Sequence, residues 1–215
     1  MTASPAHLSP FVPWPDGRTL VLASQSPRRA QLLETAGIPF RVQPAGDVEA
    51  KLAARLQAER THPARYAELL AHAKASDVAA RCPGELVLGA DTVVLLDGAI
   101  LEKPVDRADA VRLLGLLSGR THTVISALAL VGGPAGRGLA VHETTEVDFL
   151  HLDPAWIDAY VATGEPMDKA GAYGIQGYGA LMVAAVRGCY FNVMGLPLAR
   201  LGGLLRTILA EQEQP

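Results

Sequence analysis

Only two cysteines occur in the 215 residues, Cys82 and Cys189, far apart and with no CxxC spacing. Without a secretory context they read as reduced thiols, not as a disulfide framework, and neither stands out as a nucleophile. Charge is sparse: Asp, Glu, Lys and Arg make up 19% of the chain, the net charge is -3, and no basic run is present. A nucleic acid polymer would find no electrostatic track to follow, whereas a small anion held by a few placed cations needs none. Apolar runs are short as well; the one at 180–186 falls far below the ~20 residues of a membrane span. The first residues lack the Lys/Arg-rich start of a secretory signal, so the sequence places the protein in the cytoplasm, away from membranes.

Several chemistries lack their anchors. There is no GxSxG elbow, and the six histidines are scattered, which leaves Ser/His/Asp acyl transfer without a visible site. His142-Glu143 begins like a zincin helix, but the position four after the histidine is Glu146, and the surroundings read as strand. Neither a GxGxxG turn after a strand nor a GxxxxGK[ST] loop is present, so a dinucleotide fold and a P-loop are unsupported. No internal repeat is visible.

What is there suits one α/β domain with room for two lobes. Hydrophobic residues form 49% of the chain, enough for a sizeable core. Residues 1–17 hold four prolines and no Lys or Arg, the composition of an extended, poorly ordered leader, which leaves 18–210 as the domain. A short apolar strand at 18–24 leads into Ser26-Pro27, an N-cap followed by proline at the first helical position. A second short strand at 41–44 and Ala/Leu-rich helices at 50–60 and 64–81 follow. The pattern then predicts a buried strand at 86–96 with a hairpin turn at Asp97-Gly98, a helix at 106–117, paired strands at 121–131 and 140–150, and a helix from Asp153-Pro154 to about 163. The stretch 164–179 is too glycine-rich for regular structure and reads as a binding loop; a strand at 181–186 and a helix at 196–210 close the chain.

Ions at the ends of apolar strands carry the chemistry. Arg28 and Arg29 fall in the first turn of a helix after a strand, where free N–H groups and the helix dipole favour an anion; a solvated surface pair is an equally weighted alternative. Asp91, within Gly89-Ala-Asp-Thr-Val-Val, is the sharpest single residue, because an ionised carboxylate on a buried strand is costly unless it binds a cation or moves protons. Flanking Gly89 and Ala90 are expected to leave room for a ligand, and a structural salt bridge to an arginine is the competing account of Asp91. Glu102-Lys103-Pro104 lies just past the hairpin, and the glycine-rich loop adds Glu165, Asp168, Lys169 and Gln176.

Together, Leu22-Ala-Ser-Gln-Ser-Pro-Arg-Arg, Gly89-Ala-Asp-Thr-Val-Val, Glu102-Lys-Pro, Ser118-Gly-Arg-Thr-His, Glu165-Pro-Met-Asp-Lys-Ala-Gly-Ala-Tyr-Gly-Ile-Gln-Gly and Asn192-Val-Met-Gly-Leu-Pro resemble the Maf family of nucleotide pyrophosphatases in order and spacing. The resemblance runs from about residue 20 to the final helix. It implies an elongated two-lobed α/β fold, similar to that of the inosine triphosphate pyrophosphatases, with a mixed sheet, a deep central cleft for a nucleotide and a divalent metal, Mg²⁺ or Mn²⁺, and a homodimer. The family's catalytic acid falls on Asp91, with Glu49 as a second acidic position near the metal. Ser24, Arg28, Arg29, Lys74 and Lys103 would hold the triphosphate, although Ala71-His-Ala-Lys-Ala departs from the more usual acidic approach to that lysine. Asp168 and Lys169 join the substrate set. Arg28, Thr92 and Gln176 resemble the branch acting on dTTP and UTP, and a glutamine amide matches the donor and acceptors of a pyrimidine edge. The implied reaction yields a nucleoside monophosphate and pyrophosphate, removing unwanted or modified nucleotides. Two rivals share the fold: a nucleotide-binding regulator of cell division with little turnover, and an enzyme for noncanonical purine triphosphates such as ITP.

Overall fold

The computed structural model describes residues 9–12, 14, 18–133 and 136–212. Of the leader, 1–8, 13 and 15–17 lie outside the described residues; Ser9 donates its N–H to the Gly37 carbonyl at 2.9 Å, and Val12 is buried. The apolar strand β1 (Leu20–Leu22) is followed by α1 (Pro27–Thr35), with Ser26 at the N-cap and proline at the helix start as expected. The Ser26 side chain does not cap that helix; its N–H instead donates to Ser24 Oγ at 3.2 Å. Then come β2 (Phe40–Val42), α2 (Glu49–Ala58), α3 (Pro63–Ala79), β3 (Leu86–Leu96), β4 (Ala99–Leu101), α4 (Arg107–Leu117), β5 (Thr121–Gly132), β6 (Arg137–Phe149) and α5 (Pro154–Ala162). The chain closes with β7 (Val183–Arg187), a four-residue helix α6 (Tyr190–Val193) and α7 (Leu198–Gln212).

The strands form one mixed seven-stranded sheet in the order β2-β1-β3-β5-β6-β7, with β4 paired to β3. β1 runs parallel to β2 and to β3, while β3–β4 and β6–β7 are antiparallel. Parallel strands buried on both faces read as unbroken apolar runs, which is why β1 and most of β3 carry no period-two alternation.

By its internal contacts the chain divides into two compact units, Met1–Asp91 with Ser126–Glu143 and Gly195–Pro215, and Thr92–Ile125 with Thr144–Met194. In the first, Leu20, Leu22, Leu33, Leu70, Leu88, Leu201 and Leu205 are almost wholly removed from water. In the second, Leu113, Leu114 and Leu117 of α4 pack in one cluster with Val124, Val147, Phe149, Ile157 and Val161. Helix α4 starts at Asp106, whose side chain accepts from Asp109 N–H at 2.8 Å, and α5 starts at Asp153, which accepts from Ala155 N–H at 2.7 Å. These are ordinary N-caps that satisfy otherwise unpaired donors.

Two expectations need correction. The stretch 164–179 is not structureless: 3₁₀ turns form at Glu165–Asp168, Ala170–Ala172 and Gly177–Met182. Left-handed glycines at 164, 171 and 177 let the chain turn sharply at each of them, so no helical period appears in the sequence. The last turn takes up Leu181 and Met182 and delays β7 to Val183. Helix α6, a single turn, was not expected, because four residues are too few to display a period.

Candidate functional site

In the first unit, Asp91 sits on β3 with only 6% of its surface exposed. Its partner comes from α3: Lys74 Nζ lies 2.7 Å from Asp91 Oδ1 and 2.8 Å from Glu49 Oε2, at the first residue of α2. One ammonium therefore joins two carboxylates. The competing expectation for Asp91 is a structural bridge to an arginine; its ion pair is with Lys74, and Arg29 is a further cation in its field.

Gly89 explains why α3 can come so close. A Cβ built there would stand 2.1 Å from the Ala71 carbonyl oxygen and 2.9 Å from Ala75 N and Cβ. The space expected for a ligand is thus filled by the backbone of α3, and Ala71 and Ala75 are themselves wholly buried. Small residues at this seam set the helix against the strand and put Lys74 within reach of Asp91.

Arg29 completes this part. Its Nη1 donates to Ser24 Oγ at 3.0 Å and its Nε to the Gly195 carbonyl at 3.0 Å. Burial lowers the affinity of its guanidinium for the proton, with Asp91 and Glu49 acting the other way and Arg28 adding to the fall. Burial likewise raises the Asp91 pKa above the ordinary carboxylate value; Lys74 and then Arg29 oppose the rise, and Glu49 adds to it. Ser24, Arg28, Arg29, Glu49, Lys74 and Asp91 therefore belong to one electrostatic cluster in this unit. Because Ser24 Oγ already accepts from Arg29 and from Ser26 N–H, its own proton is what it can offer to a further partner.

In the second unit, Thr92 follows Asp91 on β3, and the hairpin forms as expected, with Val94 opposite Leu101 and Leu96 opposite Ala99. Glu102 and the exposed Lys103 lie just past the last pair, where the Glu102 carbonyl accepts from Gly171 N–H at 3.1 Å. Asp168 and Lys169 are paired at 2.6 Å, and Lys169 Nζ also donates to the Glu165 carbonyl. Gln176 is half-buried, and its amide makes no hydrogen bond to another described residue. Glu165, expected in the loop as one more ion, spends its carboxylate inside the loop: it accepts from the Tyr160 hydroxyl and from the N–H groups of Tyr178 and Gly179.

Two motifs prove to be buried polar joints in this unit. His122, from Ser118-Gly-Arg-Thr-His, is 2% exposed, with Nε2 2.8 Å from the Tyr173 hydroxyl and its ring edge-on to Phe149. Burial pushes its pKa down to about 4, the Asp148 carboxylate offsetting this only in part. Asn192, fully buried, donates from Nδ2 to the Val124 carbonyl and to Thr145 Oγ1, each at 2.9 Å. Sequence reasoning missed the Gly195 carbonyl as a support for Arg29 and Tyr160 as a support for Glu165. The first is a main-chain atom with no side-chain signature, and the second is a helical residue whose hydroxyl finds its partner only in three dimensions.

Two carboxylate oxygens converging on the single cationic nitrogen of Lys74 form a donor set that a hard divalent cation would accept. Among the described residues no group of three or more His, Cys, Asp or Glu has metal-holding geometry. No helix among the described residues is long and apolar enough to cross a membrane.

A mixed α/β sheet carrying a buried acid, a lysine shared with a second acid and an arginine pair at a helix start defines a class: an α/β protein with acids and cations gathered in one cluster. The family described as Maf-like protein matches residues 19–208, and the chain belongs to that family. Among its curated relatives, the dTTP/UTP pyrophosphatase of Moorella thermoacetica is 53% identical over 186 residues, covering 86% of this chain and 93% of that one. Those of Symbiobacterium thermophilum and Koribacter versatilis are 52% and 46% identical over 182 and 190 residues, covering 84% and 88% of this chain and 89% and 94% of their own.

Proposed function

We propose that the protein hydrolyses dTTP and UTP to the nucleoside monophosphate and pyrophosphate, with Asp91 as the proton acceptor. The observation that carries this reading is the buried Asp91 carboxylate, held by a lysine and raised in pKa by its burial. A carboxylate of raised pKa is a better base than an exposed one, and it sits where an unpartnered charge would be costly. Water held at Asp91 Oδ would lose a proton to it while its oxygen attacks the α-phosphorus; the bond from that phosphorus to the bridging oxygen breaks, and pyrophosphate leaves. Positioning and neutralisation of oxygen charge supply most of the catalysis in such transfers.

Arg28 and Arg29, in the first turn of the nine-residue α1, together with the Ser24 hydroxyl, are suited to the phosphate oxygens. Asp91 and Glu49 are the residues that would hold Mg²⁺ or Mn²⁺, which when bound would neutralise phosphate charge and polarise the phosphorus. Lys74 would then exchange part of its contact with the carboxylates for a phosphate oxygen. Lys103, Asp168 and Lys169 are assigned to the substrate, and Thr92 and Gln176 to the choice of base; the uncommitted Gln176 amide supports that assignment. The free Cys82 and Cys189 support a reducing, cytoplasmic setting, and a homodimer is the expected assembly, measurable by light scattering.

The test is pyrophosphate release from dTTP, UTP, CTP, N7-methyl-GTP, ITP and the standard purine triphosphates, with Mg²⁺, Mn²⁺ or EDTA, for wild type and Asp91→Asn. The expected result is release led by dTTP and UTP, abolished by EDTA, and reduced on the order of 10²–10⁴-fold in the variant. Preference for a purine would move the specificity, unimpaired turnover in Asp91→Asn would remove the base, and binding without turnover would favour a regulator.

A further inference from the structure

Glu165 is the side chain in the glycine-rich stretch whose bonds are all turned inward. Its Oε1 accepts from the Tyr160 hydroxyl at 2.9 Å and from Gly179 N–H at 3.2 Å, and its Oε2 accepts from Tyr178 N–H at 3.1 Å. The Tyr160 hydroxyl in turn accepts from Gly174 N–H at 3.1 Å, and burial keeps it a protonated phenol. The backbone is therefore fastened at 174 on one side of Gln176, and at 178 and 179 on the other. Hydrogen bonds to an ionised carboxylate are roughly twice as strong as neutral ones, so these fastenings are well above the ordinary for a loop.

The chain is shaped around the carboxylate. A Cβ on Gly177, which has a left-handed φ of +67°, would lie 2.6 Å from Glu165 Oε2, and one on Gly179 would lie 2.1 Å from the Gly174 carbonyl oxygen. Between these fixed points Gln176 has a constrained backbone and an amide that bonds to no other described residue. An ordered backbone under an uncommitted amide is the arrangement that lowers the ordering cost of reading a ligand.

We propose that Glu165 is a positioning residue for base selection: by pinning the backbone on both sides of Gln176, it presents that amide to the edge of a pyrimidine nucleoside triphosphate. The inference rests on the assignment of Gln176 to the base. Glu165 itself touches no substrate. Replacing it by glutamine keeps its size but turns an NH₂ towards a backbone N–H, leaving two donors facing each other with no acceptor.

The experiment compares wild type, Glu165→Gln, Gln176→Ala, the double variant and Tyr160→Phe. Each is assayed for pyrophosphate release from dTTP, UTP and dGTP, with hydrogen exchange read at the amides of Tyr178 and Gly179. For Glu165→Gln the expected result is a KM for dTTP raised about tenfold, the size of one lost net hydrogen bond, with kcat within about twofold of wild type. The preference for dTTP over dGTP should shrink towards that of Gln176→Ala, the two amides should exchange faster, and the double variant should be no worse than Gln176→Ala alone. Tyr160→Phe keeps its ring in the core and should move KM the same way, by about threefold. A Glu165→Gln enzyme with wild-type KM and base preference overturns the proposal, as does an equal loss of kcat for every nucleotide or full additivity in the double variant. If Gln176→Ala keeps the base preference, the assignment of Gln176 has failed instead, and the single-variant data show which of the two was wrong.

Discussion

At the scale of single residues, burial decides which charges are held for use and which are kept neutral. His122 is buried deeply enough to lower its pKa from 6.5 to about 4, whereas unfolded it would titrate near its ordinary value. Between those two values the unfolded chain binds a proton that the folded chain refuses, so stability falls as pH drops through 6.5 towards 4. The slope amounts to about 1.4 kcal/mol per pH unit, or ~3 kcal/mol across the window. His122→Gln, neutral at every pH, should lose that slope; urea midpoints at several pH values between neutrality and acid would check it, and identical slopes in both proteins would count against it. Asp91 was legible in the sequence because a carboxylate interrupts an apolar run. Its link to Lys74 was not, since nothing local says that the lysine of one helix meets the acid of a strand 17 residues later.

At the scale of elements, the position of α3 against β3 is set by a seam of small residues. Gly89→Ala would place a methyl group 2.1 Å from a carbonyl oxygen of α3, and neither backbone can yield without shifting Lys74. The expected cost is about 1–3 kcal/mol of stability together with a fall in turnover, measurable by thermal unfolding and pyrophosphate release; a variant as stable and active as wild type would contradict this packing account. Asp106→Ala removes the acceptor for Asp109 N–H at the start of α4 and should cost about 1 kcal/mol, with activity at saturating nucleotide little changed. Long elements such as α3, α4, β3 and β5 could be read from apolar spacing and from their caps and turns. The turns between 165 and 182 could not, because they are held by Glu165 and Tyr160 through bonds that follow no period.

For the whole molecule, composition and motif order were sufficient for the class: a mixed α/β sheet, two compact units and membership of the Maf-like family were all in keeping with the sequence. The division itself was harder to place, because it cuts through β3 between Asp91 and Thr92, through β5 between Ile125 and Ser126, and through β6 between Glu143 and Thr144. A pattern of hydrophobicity marks where a strand lies but not where along it the contacts change sides.

That interleaving has a consequence for how the protein is made. Residues of the second unit end at Met194, while the first unit still awaits Gly195–Pro215, including the buried Leu201 and Leu205 of α7 and the Gly195 carbonyl that holds Arg29. On the ribosome, Ser24, Arg29, Lys74 and Asp91 emerge well before Gly195–Pro215, a further piece of the same unit that follows the second unit in the chain. A nascent chain that stops before Gly195 would carry the charged groups assigned to the site but not the Gly195 carbonyl that accepts from Arg29 Nε, so that one bond forms only after the whole of the second unit has been made.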